Sequence, residues 1–80
     1  MARTKEEQYV LRLYELASKS GDLEHPMNRY QVGQAIGFSP RLVETICKEL
    51  VRSNFIRRLH GDDIRLTQQG ERLALLLLKG

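Results

Sequence analysis

Apolar residues recur along this chain first with a helical period, then with a strand period, and at the end with a helical period again. Over residues 4–18, Val10, Leu13, Tyr14 and Ala17 fall at i, i+3, i+4 and i+7, and Tyr9 and Leu16 widen the stripe towards a second face. That spacing predicts an amphipathic first helix. Thr4 and Glu7 have the Thr-x-x-Glu order of a capping box at its start, and Ser20-Gly21-Asp22 stops it. A loop over residues 22–26 follows. Asn28-Arg29-Tyr30-Gln31 then reads as a second box-like start, with Tyr30, Val32, Gly33 and Ile36 as the contact face of a short helix ending at Gly37. Gly33 lets another helix approach closely.

The next helix is predicted from Pro40 to about Ser53. It separates Val43, Ile46, Cys47, Leu50 and Val51 on an inner side from Arg41, Glu44, Thr45, Lys48 and Arg52 on an outer side. Gly37 supplies the positive φ that a sharp helix-to-helix turn demands, Ser39 can cap the orphan amides, and Pro40 fits the first turn. Two helices joined this tightly read as a helix-turn-helix, whose second helix can lie in a DNA major groove. Phe55-Ile56-Arg57-Arg58-Leu59 and Asp63-Ile64-Arg65-Leu66 alternate as strands do, and His60-Gly61-Asp62 carries turn chemistry, so a short β-hairpin is expected. The last helix takes Thr67 as its N-cap and Glu71 in its first turn, with Leu73, Leu76 and Leu77 as the stripe that closes the core. The expected fold class is mainly α with a small β-hairpin, α+β, in one domain over residues 1–80.

A chain of 80 residues buries only about 60 to 65% of its unfolded surface, so its own core is modest and help from a partner subunit is plausible. Leu75 and Leu78 point away from the core stripe beside Arg72. Together with Tyr9 and Leu16 they are expected to form a homodimer interface. Cys47, the one cysteine, faces inward beside Val43 and Ile46, which predicts a small buried hydrophobe in a reducing cytoplasm. The chain is charged from its third residue with no apolar run behind, and the leucines at 75–78 are far too few to cross a bilayer, so a soluble cytoplasmic protein without membrane contact is expected. No set of Cys, His, Asp or Glu has metal-site spacing, and His25 and His60 are isolated loop residues. Without a nucleophile and base in sequence, or a phosphate-cradling loop, an enzyme is not expected, nor is a cofactor.

Charge changes the picture through its placement. The total is +3, but residues 27–60 carry six Lys and Arg against two Glu. The excess falls on the two tightly joined helices and the strand after them, as phosphate contact would require.

The order of three helices, hairpin and closing helix resembles the winged helix-turn-helix family of bacterial transcription regulators, the MarR and PadR kinds among them. In that family a Gly-Leu-Ile-x-Arg segment enters the wing and a Leu-Thr-x-x-Gly segment leaves it. The counterparts are Asn54-Phe55-Ile56-Arg57-Arg58 and Leu66-Thr67-Gln68-Gln69-Gly70. The resemblance implies a three-helix core, a short wing and a C-terminal helix, and sequence-specific binding of double-stranded DNA by the helix from Pro40. Carried over by position, it nominates Ser39, Pro40, Arg41, Glu44, Thr45 and Lys48 on that helix and Arg57, Arg58 and Arg65 in the wing. Arg57 and Arg58 are neighbours in a strand and point to opposite faces, so at most one meets a duplex.

Three positions depart from the family pattern. Asn54 stands where glycine is usual, and it too adopts left-handed backbone geometry. The tip His60-Gly61-Asp62-Asp63 is short and acidic, and Leu42 and Glu44 occupy the first two turns of the reading helix. The last two features fit a different class of function, a protein-protein interaction module that keeps the fold without binding DNA.

Overall fold

The first helix starts where its capping box places it. In the computed structural model of the chain, which describes residues 3–80, α1 spans Lys5–Ser20. The Thr4 hydroxyl accepts from the Glu7 amide at 3.1 Å while the Glu7 carboxylate accepts from the Thr4 amide at 2.8 Å. α1 is then packed on by three other helices and by the sheet, so it buries Tyr9, Val10, Leu11, Leu13 and Ala17 rather than a single stripe. This corrects the expectation that Tyr9 lies at a dimer interface. Its ring is fully buried in the chain's own core, and its hydroxyl donates to the Arg29 carbonyl at 2.6 Å. Leu16 is half-buried and packs against the same core.

β1 (Met27–Asn28), α2 (Arg29–Gln34), α3 (Pro40–Arg52), β2 (Ile56–Arg58), β3 (Asp63–Leu66) and α4 (Gln68–Lys79) follow. The protein is mainly helical with a small antiparallel sheet, and the strand order is β1-β3-β2. β1 pairs Met27 with Ile64 and Asn28 with Asp63, so β3, which forms the expected hairpin with β2, is also the central strand of three. α2 begins with the Asn28 side chain accepting from the Tyr30 and Gln31 amides, and it ends at Gln34, short of Gly37.

The hairpin register sets the faces of the sheet. Ile56 lies opposite Leu66 and Arg58 opposite Ile64, and Ile56, Ile64 and Leu66 are buried on the core side. Arg57 lies opposite Arg65 on the other side.

The motif around Thr67 has a local cause. Thr67 accepts from the Gly70 amide at 3.0 Å and donates its hydroxyl to the Asn54 carbonyl at 2.6 Å, while its own amide donates to the Phe55 carbonyl at 3.1 Å. Gly70 sits against that Phe55 carbonyl so closely that a β-carbon would overlap it. This contact fixes the rotation of α4. Gly70, Leu73, Ala74 and Leu77 turn inward, and Leu76, expected in the core stripe, is 66% exposed instead. Leu75 and Leu78 are exposed as expected. No helix among the described residues is long and apolar enough to cross a membrane.

Candidate functional site

α3 is held at a fixed angle to α2 by the turn before it. Where the helices cross, a β-carbon on Gly33 would overlap the Val43 side chain, so only glycine permits the contact. The Gly33 carbonyl then accepts from the Ile36 amide at 3.1 Å and the Phe38 amide at 2.9 Å, and Gly37 takes the left-handed φ of 74°. Ser39 caps α3 by accepting from the Leu42 amide at 3.2 Å, with Pro40 as its first residue.

With Val43, Ile46, Cys47 and Leu50 buried, Ser39, Pro40, Arg41, Glu44, Thr45 and Lys48 are left on the exposed side. One expectation for this helix changes: Val51, expected inside, is 37% exposed at the margin, while Leu42, in the first turn, packs against the core. Both lie at the edge between the buried and exposed sides, where a few degrees of helix rotation decides the outcome.

The charges on this side have different freedom. Among the described residues, Arg41 and Lys48 make no ion pair. Arg52 is 3.7 Å from Glu49 on its own helix. Glu44 accepts from the Tyr30 hydroxyl at 2.8 Å, and that bond to a carboxylate pushes the half-buried Tyr30 phenol above its ordinary range. Thr45 donates its hydroxyl back to the Arg41 carbonyl at 3.2 Å.

Arg58 belongs to the same surface. It lines a concavity of about 290 Å³ with Arg29, Glu44, Cys47, Lys48 and Val51, between α3 and the hairpin. Arg57 and Arg65, nominated with it, do not. They stand side by side on the opposite sheet face, where Arg65 bonds Glu24 at 3.0 Å. The alternation of a strand separates Arg57 from Arg58, and the pairing register places Arg65 with Arg57.

Arg29 is the site residue that sequence reasoning missed. Its guanidinium lies 4.8 Å from the Tyr30 ring centroid and 3.2 Å from Asp62 at the hairpin tip, and its amide donates to the Asp62 carbonyl at 3.0 Å. The capping pattern at Asn28 marks the helix start, but no local pattern ties position 29 to position 62. Behind the site, the Cys47 thiol donates to the Tyr9 hydroxyl at 3.4 Å and that hydroxyl donates on to the Arg29 carbonyl. Burial pushes both the Cys47 thiol and the Tyr9 phenol up, so both stay neutral donors.

The arrangement offers an exposed helix side with cations unpaired among the described residues and a groove beside it lined by Arg29, Lys48 and Arg58. No family model, curated protein or solved structure matches the chain.

Proposed function

We propose that the chain is a winged helix-turn-helix module that binds double-stranded DNA by laying α3 in the major groove, and that it regulates transcription by occupying a site. The observation that carries this reading is the exposed side of α3, where Arg41 and Lys48 are unpaired among the described residues and Arg58 shares a groove with Lys48. A duplex needs an exposed cationic helix, with base-edge contacts from its first turns and phosphate contacts around it. Two features that favoured a protein partner carry less weight, because Leu42 packs inward and Glu44 is engaged by Tyr30.

The homodimer belongs to the same reading, on a changed set of residues. Leu75, Leu76 and Leu78 are 49%, 66% and 55% exposed. Leu75 and Leu76 continue a strip that runs past Leu73 and Phe55 to Glu6, Glu7 and Glu49 at one end and reaches Lys79 at the other. A strip that is acidic at one end, apolar in the middle and basic at the other is self-complementary under a two-fold axis. Two copies joined this way would read inverted half-sites about 34–36 Å apart.

Titration of a mixed-sequence duplex at 50 mM salt tests the reading. Wild type is expected to bind and the Arg41→Ala/Lys48→Ala variant to lose about ten-fold or more, as removal of two phosphate or base contacts implies. No binding by wild type at low salt, or equal binding by the variant, sinks it. Selection from a random duplex pool then reports the half-site and its symmetry.

A further inference from the structure

The sheet face turned away from the core carries a second cationic cluster that the DNA reading leaves unused. Arg57 and Arg65 are direct cross-strand partners, so the register sets two guanidinium-bearing residues opposite one another on one face. Like charges in that position destabilise a sheet. Arg72 from α4 lines the same open concavity, of about 460 Å³, together with Asn54, Gln68 and Gln69. Against three arginines the concavity offers one carboxylate, Glu24, and Arg65 takes it. Among the described residues Arg57 and Arg72 have no ion-pair partner.

We infer that this concavity is a binding site for a small phosphate-bearing anion. The chemistry of its lining specifies the class. Guanidinium groups suit phosphoryl oxygens because each presents paired N–H donors, and the side-chain amides of Asn54, Gln68 and Gln69 add neutral donors around them. The absence of any aromatic side chain from the lining removes a platform for a base. A size of about 460 Å³ falls in the range of small-ligand sites, whereas the polar lining is wrong for an apolar ligand. A duplex lying on α3 does not account for the cluster, because Arg58 faces that side and Arg57 faces the other. Bound anion would relieve the repulsion between Arg57 and Arg65, so binding is coupled to the stability of the hairpin. The inference stands apart from the DNA reading and survives its failure.

Thermal unfolding of the full chain with inorganic phosphate or tripolyphosphate, against sodium chloride of matched ionic strength, tests it. Wild type is expected to gain a saturable rise in melting temperature. At about ten times its dissociation constant the anion raises the midpoint by about 6 to 11 °C. Arg57→Gln and Arg72→Gln are each expected to lose most of that rise. Without added anion, Arg57→Gln alone is expected to melt about 1 to 8 °C higher than wild type, because it removes a like-charge pair. Arg41→Ala, on α3, keeps the full response. A chloride-like response in wild type, an unchanged response in both arginine variants, or an Arg57-dependent rise produced by a duplex and not by either phosphate would overturn the inference.

Discussion

Adjacent arginines on one strand make the sharpest test of which surface meets DNA. Arg57 and Arg58 are chemically the same and one residue apart, yet only Arg58 shares the concavity beside α3. The perturbation is Arg58→Gln set against Arg57→Gln, which removes one charge in each case and leaves a side chain of similar length. Three free cations face the proposed duplex from each copy: Arg41, Lys48 and Arg58. If each neutralises a phosphate, log K falls with log salt at a slope of about −2.7 per copy bound, so affinity drops by about 40-fold per copy between 50 and 200 mM salt, and a bound dimer doubles the slope. Arg58→Gln lowers the slope to about −1.8 and the drop to about 12-fold, whereas Arg57→Gln leaves both where they were. Fluorescence anisotropy of a labelled mixed-sequence duplex at five or six salt concentrations measures the slope directly. The slope is the right readout because it counts charges and does not depend on knowing the operator. Equal changes for the two variants, or none for Arg58→Gln, would refute the assignment of faces.

Gly33→Val should place a branched side chain into Val43 and cost about 1 to 3 kcal/mol, read as a fall in the urea midpoint at unchanged m-value. Cys47 and Tyr9 both have folded pKa values raised above their unfolded ones, so the stability they contribute is complete below about pH 8.5 and declines as pH rises above the unfolded thiol and then phenol values; urea midpoints at pH 7, 9.5 and 10.5 should fall in that order, and a flat series would contradict the burial argument. Leu75→Glu/Leu78→Glu should convert a dimer to a monomer in sedimentation, since the exposed fractions of Leu75, Leu76 and Leu78 correspond to about 2.5 to 5 kcal/mol of burial per copy; a monomeric wild type removes the dimer. Tyr30→Phe should weaken duplex binding in the wild-type background by releasing Glu44 and have no effect in a Glu44→Gln background; the same loss in both backgrounds would show that Tyr30 acts some other way.

Local features of the fold were legible in the chain, and features that depend on distant partners were not. The caps at Thr4, Ser39 and Thr67, the left-handed turn at Gly37 and left-handed Asn54 are each set by neighbours within four residues, and each forms where the pattern puts it. β1 escaped because two residues are too few to show alternation, and Met27 and Asn28 become a strand only through β3. Tyr9 and Leu76 were misplaced for related reasons. A helical stripe predicts one buried face, but α1 is surrounded by other elements and buries more. The rotation of α4 is fixed by Gly70 meeting the Phe55 carbonyl, a contact between segments that are separate in sequence. In the candidate site, the exposed side of α3 followed from its periodicity. The division of Arg57 and Arg65 from Arg58 followed from alternation once the register was known, while the junction of Arg29 with Asp62 had no sequence signal at all.

The hairpin that carries Arg58 is tied to the rest of the molecule at three places, and this bears on how it can act. At its start, Asn54 turns with φ 63° and the Phe55 amide donates to the Leu50 carbonyl at 2.9 Å, so β2 leaves the end of α3 in a set direction. At its end, Thr67 is bonded to Asn54 and Phe55. At its tip, Asp62 is bonded through backbone and carboxylate to Arg29, whose carbonyl is in turn bound by the buried Tyr9 hydroxyl. A hairpin fixed at both ends and at the tip does not behave as a mobile arm that folds around a ligand. It holds Arg58 at a constant position relative to Lys48, so the ordering cost of the proposed phosphate contact is met on folding rather than on binding. The Asp62 carboxylate, part of the short acidic tip, is occupied by Arg29 as part of the same tie. On the proposed reading, phosphate contact therefore comes from Arg58 on the strand beside α3, and not from the Asp62 carboxylate that Arg29 holds.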